Sequence, residues 1–501
     1  MKNIVTAAQM KECDRDTITN LGIPSLVLME RAALGIAEEV LGYLIVSGKE
    51  KTGRVLCVCG TGNNGGDGIA CARILFMKGI NTEIFYTGEP DKGTPETVKE
   101  AEIAENLQIP VVSEPHFQVY DVIVDAIFGI GLSRDLGGIY KETVEKINLS
   151  GAFIVAADIS SGIDADTGRI HGTAVKADKT VTMQYEKAGQ IFYPGAKYSG
   201  KVSVLDIGIR EKLTGPRQKE LTEEDIPGLL KKRDPAGNKG TFGKVLIIAG
   251  SKNMSGASYF AGLAALRTGA GMVRLLTEES NREIIQKQLP EVMLETWTNA
   301  DEAVKEIERN LSWADAIAAG PGLGKSETVK KIIAYLLENA GLPLVLDADG
   351  LNALEGNSAL LRGRKAEIFV TPHIGEMSRL TGSAIEEIKA DPLRAARDLS
   401  LLCGIHCILK DARTCIAEPD GTVYINTTGN DGMATAGSGD TLTGMLSSLL
   451  AQGTSCDIAG ALAVYLHGAA GDLAAAENGP SYMIASDIIL QIKNVLRRYG
   501  R

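Results

Sequence analysis

Several features that would settle a chain's class at once are missing from these 501 residues. There is no excess of positive charge: 52 Lys+Arg face 63 Asp+Glu, a formal net charge of −11. A surface of that sign repels phosphate polymers, which argues against nucleic acid as a partner and leaves room only for a local anion pocket. No stretch approaches the ~18 uninterrupted apolar residues of a membrane span. The opening MKNIVTAAQMKECDRDT has neither an apolar core segment nor a small-residue cleavage pattern, so a cytoplasmic protein with no membrane partner is expected. The eight cysteines include no Cys-x-x-Cys pair, which favours buried reduced thiols over a metal site. Glycine is what the chain has in plenty. Its 57 residues follow no period, so they point to tight turns and backbone-lined sites.

Apolar (44%) and charged (23%) fractions are those of a globular protein, and the length suggests two or three domains. Residues 1–50 read as helices. From Arg54 onward, short apolar runs such as RVLCVC, VYDVIVDAIFG and GAFIVAADIS alternate with helical stretches. Fully apolar strands between helices imply a parallel sheet covered on both faces. Residues 210–240 are polar and carry three prolines without a sustained strand signal, so the boundary is placed near 215–225. The βα alternation then restarts at GKVLIIAG and runs through ADAIAAG, LPLVLDADG, AEIFVTPH and CILK to two small-residue helices. The alanine- and glycine-rich helices ASYFAGLAALRTGAG and AGALAVYLHGAAG allow close packing, in a core or between subunits. The halves share no repeat, and two unlike α/β domains are expected.

After the strand RVLCVC comes GTGNNGGDG, in which Gly60, Gly62 and Gly65 satisfy G-x-G-x-x-G at a strand-to-helix turn. Such glycines let a backbone approach a phosphate. The following strand ends Tyr86-Thr87-Gly88 with no acid for a ribose diol, which argues against an ordinary Rossmann dehydrogenase. Two later strand ends carry Asp125 and Asp158. Ligands of open α/β sheets bind at strand carboxyl ends, so Asn64, Asp125, Asp158 and Ser161 are expected to converge there as a hard-cation oxygen set.

GTGNNGGDG, DAIFGIG, DISSGIDADTG and FYPGAKYSGKVSVLDIGI together resemble the NAD(P)H-hydrate epimerase domain, over residues 1–218. The resemblance implies a Rossmann-like three-layer sandwich. It further implies substrate contacts from Asn63, Asn64, Gly65, Gly66, Asp67, Gly129, Ile130, Gly131, Leu132, Ser133, Arg134, Asp135 and Asp158, with Asp158 as catalytic acid/base. It implies a potassium ion held by Asn64, Asp125 and Ser161. Ile130 and Ser160 stand where that family is expected to have Thr and Pro.

In the second half, Ala319-Gly320-Pro321-Gly322-Leu323-Gly324-Lys325-Ser326 misses a P-loop at its first glycine, and a glycine turn approaching a ligand is the better reading. Gly437-Ser438-Gly439-Asp440 opens a helix, where exposed amides stabilise a transferring phosphoryl group and Asp440 can take a proton from the attacking hydroxyl. Lys410, Arg413 and Thr414 form a basic loop suited to nucleotide phosphate, and His373 and Glu376 follow another strand end.

GSGD so placed resembles the ribokinase-like superfamily. The wider set, including AGPGLG, LDADGLNAL, TPHIGEMSRL and NDGMATAGSGDTLTG, is similar to its NAD(P)H-hydrate dehydratase branch across 225–501. The resemblance implies hydrate contacts from Ala257, Gly322, His373 and Asp440. It implies adenine-nucleotide contacts from Lys410, Asp411, Ala412, Arg413, Thr414 and Gly439, with Asp440 catalytic, ADP as phosphoryl donor and magnesium as cofactor. Asp411 stands where Gly is usual. The expectation is a bifunctional enzyme that epimerises NADHX and NADPHX and dehydrates the S form, working as a homo-oligomer. A ribokinase-like small-molecule kinase and a non-catalytic nucleotide-binding regulator are the competing readings.

Overall fold

A computed structural model describes residues 1–500. The chain divides into two compact units, one of residues 3–217 and one from residue 218 onward joined by Met1–Lys2.

The N-terminal unit is Rossmann-like. Six parallel strands run in the order Asn81–Tyr86, Arg54–Cys59, Val122–Ala126, Phe153–Ala157, Lys179–Met183, Lys201–Leu205. Val122–Ala126 is buried at every position, as an apolar run with helices on both faces requires. The order doubles back between Arg54–Cys59 and Val122–Ala126, so the loops after these two strands splay apart and leave a crevice at their carboxyl ends. The amino-terminal segment is not wholly helical: Lys2–Val5 is a strand, pairing in parallel with Glu186–Lys187. Only then does helix Ala7–Thr19 begin, where Thr6 Oγ1 accepts from the Gln9 amide and the Gln9 side chain answers the Thr6 amide. The four-residue strand before it has little local signal, and its pairing partner lies far along the chain.

The second unit is a ribokinase-like α/β domain. Its sheet runs Met293–Trp297, Met272–Glu278, Lys244–Ile248, Ala316–Ala319, Leu344–Leu346, Ile368–Val370, His406–Leu409, Thr414–Ala417, Val423–Asn426, Gln218–Glu220. Pairing is parallel through His406–Leu409 and antiparallel across the next two strands, so the sheet is mixed rather than purely parallel. The polar segment 210–240 does contribute one short strand, Gln218–Glu220, which pairs with Val423–Asn426. Helix Ser255–Thr268 packs through Ala261, Ala264 and Ala265, and helix Ser438–Ala451 through Leu442, Met445, Leu446 and Leu449, into the principal core. The small side chains of the first therefore serve close packing within the unit. Helix Cys456–Asn478 has the length and apolarity of a membrane span, but most of it is buried in the same core. It escapes the search for uninterrupted apolar runs because Asp457, His467, Asp472 and Glu477 interrupt it.

Candidate functional sites

The crevice of the N-terminal unit is a cavity of about 520 Å³, within the range of small-ligand sites. Asn63, Asn64, Asp67, Gly129, Ile130, Gly131, Leu132 and Asp158 all line it. Gly65 and Gly66 support the turn from behind. A Cβ on Gly65 would fall 1.9 Å from the Gly60 carbonyl oxygen, so only glycine lets the helix start this close to the strand end. Ser133, Arg134 and Asp135 are exposed and stand outside the lining; Asp135 lies 3.7 Å from His171 Nδ1.

Asp158 is held firmly. Its φ is +65°, a left-handed conformation that non-glycine residues seldom adopt. The Gln190 side-chain amide donates to its carbonyl at 2.7 Å. Its Oδ1 receives the Met183 amide at 3.0 Å, Thr182 Oγ1 at 3.3 Å and the ammonium of Lys187, whose side chain is fully buried. The Lys187–Asp158 ion pair was not legible in the sequence, because it forms between a strand end and a residue 29 positions later that only the tertiary register brings back.

Asp125 and Ser161 meet behind the cavity wall. Ser161 donates its hydroxyl to Asp125 Oδ1 at 2.6 Å and its amide to Oδ2 at 2.8 Å, while the Phe128 amide donates to Ser161 Oγ at 2.9 Å. Burial pushes the Asp125 carboxyl up to about 6 against these hydrogen bonds. Asn64 has a buried side-chain Nδ2 with no partner. Among the described residues, no group of three or more His, Cys, Asp and Glu is placed to hold a metal. All the cysteines are free thiols, seven of them buried.

In the second unit the expected residues fall around one buried ion pair. Lys410 Nζ donates to Asp347 Oδ1 at 2.8 Å; the same carboxylate takes Thr371 Oγ1 at 2.7 Å and Thr443 Oγ1 at 2.8 Å. Burial opposes both charges, but pairing outweighs it: the Asp347 carboxyl is held below its ordinary value and the Lys410 ammonium above. Lys410 does not reach outward with its loop. A Cβ on Gly439 would lie 3.3 Å from its Nζ, so the ammonium sits beneath the Gly437–Gly439 turn. Gly437 caps the helix at φ +92°, which presents the following amides at its mouth. Asp440 stands in the first turn, and burial, followed by the Asp347 charge, pushes its carboxyl up to about 6 despite Lys410.

His373 caps helix Ile374–Thr381, its Nδ1 accepting from the Gly375 amide at 3.0 Å, and forms a backbone bridge with Lys410. Gly322 abuts Ala257: a Cβ there would fall 2.7 Å from the Ala257 Cβ. The same glycine turn packs on the Asp347 strand end, where a Cβ on Gly320 would meet the Asp347 carbonyl at 1.8 Å. The near-P-loop thus packs its backbone against Ala257 and the Asp347 strand end. In the loop beyond Lys410, Asp411 and Ala412 are exposed, Arg413 Nη1 donates to Ala412 O at 3.3 Å, and Thr414 Oγ1 donates to Asp411 O at 3.4 Å. His467, buried under the turn, has Nε2 3.5 Å from Ser438 Oγ; burial and Lys410 push it down to about 4, so it is neutral. Asp347 stands inside the motif LDADGLNAL, yet nothing local marks it as the counter-charge of Lys410.

These features define a class: a Rossmann-like unit with an acid-lined cavity, and a ribokinase-like unit with a glycine turn opening a helix above a lysine–aspartate pair. Comparison with known proteins agrees. Residues 245–494 match the family model described as NAD(P)H-hydrate dehydratase, and residues 25–189 match the YjeF-related protein N-terminus. The bifunctional NAD(P)H-hydrate repair enzyme Nnr of Moorella thermoacetica is 38% identical, over 99% of this chain and 96% of its own. The protein of that name from Escherichia coli is 33% identical, over 98% and 93%. Among solved structures, the ADP/ATP-dependent NAD(P)H-hydrate dehydratase from Bacillus subtilis, co-crystallised with ATP/Mg2+, is 33% identical with a TM-score of 0.51. That match covers 56% of this chain and 99% of the other. The chain belongs to the family of bifunctional NAD(P)H-hydrate repair enzymes.

Proposed function

We propose that residues 1–218 interconvert the R and S epimers of hydrated reduced nicotinamide nucleotides, and that residues 225–501 dehydrate the S epimer at the expense of ADP. In the substrate, water has added across a ring double bond, leaving a hydroxyl on the carbon beside the ring nitrogen. Hydroxide leaves poorly. In the dehydratase unit Asp440 takes the hydroxyl proton as the oxygen attacks the terminal phosphoryl group of ADP. The Gly437–Gly439 amides, with Lys410 beneath them, offset the charge that develops. The ring nitrogen lone pair then expels phosphate, and loss of a proton from the neighbouring carbon restores the reduced cofactor. Ala257, Gly322 and His373 border the hydrate, while Lys410–Thr414 and Gly439 border the nucleotide.

The observation that carries this reading is Asp440: a carboxyl pushed up to about 6, at the mouth of an anion-binding turn, with a buried ammonium underneath. A general base tuned near neutrality suits proton removal from a weakly acidic hydroxyl. Magnesium, when bound with the nucleotide, supplies charge neutralisation for the phosphates. In the epimerase unit, Asn64, Asp125 and Ser161 would hold potassium. Their donor set is oxygen-rich: the Asn64 ligand would be its Oδ1, and the buried Asp125 carboxylate is a group that a cation would satisfy.

The test mixes the protein with racemic NADH hydrate and follows the absorbance of the reduced nicotinamide with and without ADP. Full ADP-dependent recovery is expected. A stable phosphorylated product without recovered absorbance would make the chain a small-molecule kinase, and tight binding without turnover would make it a regulator.

A further inference from the structure

Three carboxylates line the N-terminal cavity, Asp14, Asp67 and Asp158, and the protein treats them unequally. One oxygen of Asp158 collects the donors of the wall: Lys187, Thr182 and the Met183 amide. Asp67 and Asp14 accept no hydrogen bond from any described residue. The rest of the lining is largely apolar, with Met10, Leu28, Met29, Ile127 and Ile207 among it. Like charges in such a space repel, and a carboxyl there without donors of its own is the one that ionisation of its neighbours disfavours.

We propose that Asp67 is the proton donor of the epimerisation, working opposite Asp158, with Asp158 serving the hydroxyl oxygen and Asp67 the ring nitrogen. The proposal rests on the epimerase reading above and assigns its second catalytic group. Burial first, then the charges of Asp158, Asp14 and Glu100, hold the Asp67 carboxyl well above its ordinary value. Among the described residues no cation is paired with Asp67; Lys11 lines the same cavity but is not among the charges that act on this carboxyl. On its own helix, Arg73 is engaged with Glu30 and with Glu100 (3.3 Å), and Cys71 is a buried thiol. Helix Ala7–Thr19 brings Asp14 and Lys11, and helix Pro95–Asn106 brings Glu96 and Glu100. Lys187 is committed to Asp158.

The step balances without a co-reactant. Asp158 takes the hydroxyl proton, the O–H pair becomes the second bond of an aldehyde, and the carbon–nitrogen bond breaks toward nitrogen, which takes the Asp67 proton. Rotation about the bond next to the aldehyde carbon presents its other face. Nitrogen attacks that face, its proton returns to Asp67, and the oxygen recovers its proton from Asp158. No water enters or leaves.

The experiment supplies the R epimer without ADP and separates the epimers by chromatography. Wild-type protein that interconverts nothing would remove the epimerase reading itself; interconversion keeps it and tests the role of Asp67. The wild-type rate is expected to be bell-shaped in pH, with Asp67 setting the alkaline limb. Asp67→Asn should lower kcat by ~100-fold or more with little change in KM and abolish that limb. Asp67→Glu should restore part of the rate and the limb, and Asp14→Asn, which removes one of the charges that raise Asp67, should move the limb to lower pH without abolishing it. A raised KM with unchanged kcat, or an alkaline limb surviving in Asp67→Asn, would overturn the assignment. Epimerisation in 18O-labelled water gives a readout independent of any variant: the substrate oxygen should be retained, and label entering with each turnover would overturn the opened-ring route.

Discussion

Each unit sets a lysine against an aspartate at or beside a left-handed non-glycine residue, yet the two pairs face opposite ways. In the N-terminal unit the carboxylate is on the cavity side: Asp158, at φ +65°, lines the cavity, and Lys187 is sealed behind it. In the C-terminal unit the carboxylate is sealed in: Asp347 is 1% exposed, Ala348 after it takes φ +47°, and Lys410 is turned toward the Gly437–Gly439 turn. Under the proposed mechanism the first arrangement sets a carboxylate where a proton is taken from the substrate hydroxyl. The second sets an ammonium where a phosphoryl group is stabilised, and leaves proton removal to Asp440. The same pair would then serve two chemistries, according to which partner is nearer the ligand.

The sharpest way to break the comparison is at Asp440. Asp440→Asn should lower the ADP-dependent recovery of reduced nicotinamide from the S epimer by ~10²–10⁴-fold, the range of a lost general base. The base acts only when ionised, so in the wild-type protein kcat/KM for dehydration should fall as pH drops below about 6, the value to which burial raises this carboxyl. A flat profile between pH 7 and pH 5 would transfer the role to another group.

The lysines test whether the two pairs are equivalent. Lys187→Met should stop epimerisation and spare dehydration of the S epimer; Lys410→Met should do the reverse. Lys410→Met leaves the buried Asp347 carboxylate without its partner, a change that costs roughly 3–5 kcal/mol and should lower the melting transition of its unit; Lys187→Met leaves a carboxylate that faces the cavity and should lower its own unit's transition less. Asp158→Asn should repair about half of a racemate quickly and the remainder slowly, which a single progress curve reads out.

His467 gives the third contrast, because the N-terminal cavity wall has no counterpart among its lining residues. The folded protein holds His467 neutral, its titration pushed down to about 4, while the unfolded chain titrates near ~6.5. Between those values the unfolded state binds the extra proton, so stability is full above about 6.5 and is lost as pH falls toward about 4. The loss reaches roughly 3 kcal/mol. Thermal melts of the C-terminal unit across pH 4–7 should show this slope, and His467→Gln should flatten it.

What the sequence reveals here, and what it hides, follows from the range of the interactions. The strands RVLCVC and VYDVIVDAIFG, the turn GTGNNGGDG and the helix opened by GSGD are local patterns, and each is where it was expected. The strand Lys2–Val5, the antiparallel strands Thr414–Ala417 and Val423–Asn426, and the pairs Lys187–Asp158 and Lys410–Asp347 are non-local. Lys410 shows the difference well. Its neighbours Arg413 and Thr414 suggest a loop that holds phosphate with its side chains, but its partner is 63 positions upstream on another strand, and that partner turns the ammonium inward.

Asp411 is where the smallest effect is expected, and the most informative one about specificity. It follows Lys410 in the loop proposed to border the nucleotide, where the resemblance leads one to expect glycine, and its side chain is exposed. An exposed carboxylate near a phosphate repels it through water, which is worth only about 0.2–1 kcal/mol. Asp411→Gly should therefore tighten ADP by roughly 1.4- to 5-fold at low salt, and by less as ionic strength rises. Calorimetric titration of the two proteins at two salt concentrations separates this from a conformational cause: repulsion is screened by salt, whereas a gain from the freer glycine backbone is not. A salt-independent gain would place the difference in the loop's geometry and leave the charge of Asp411 without a role in choosing the nucleotide.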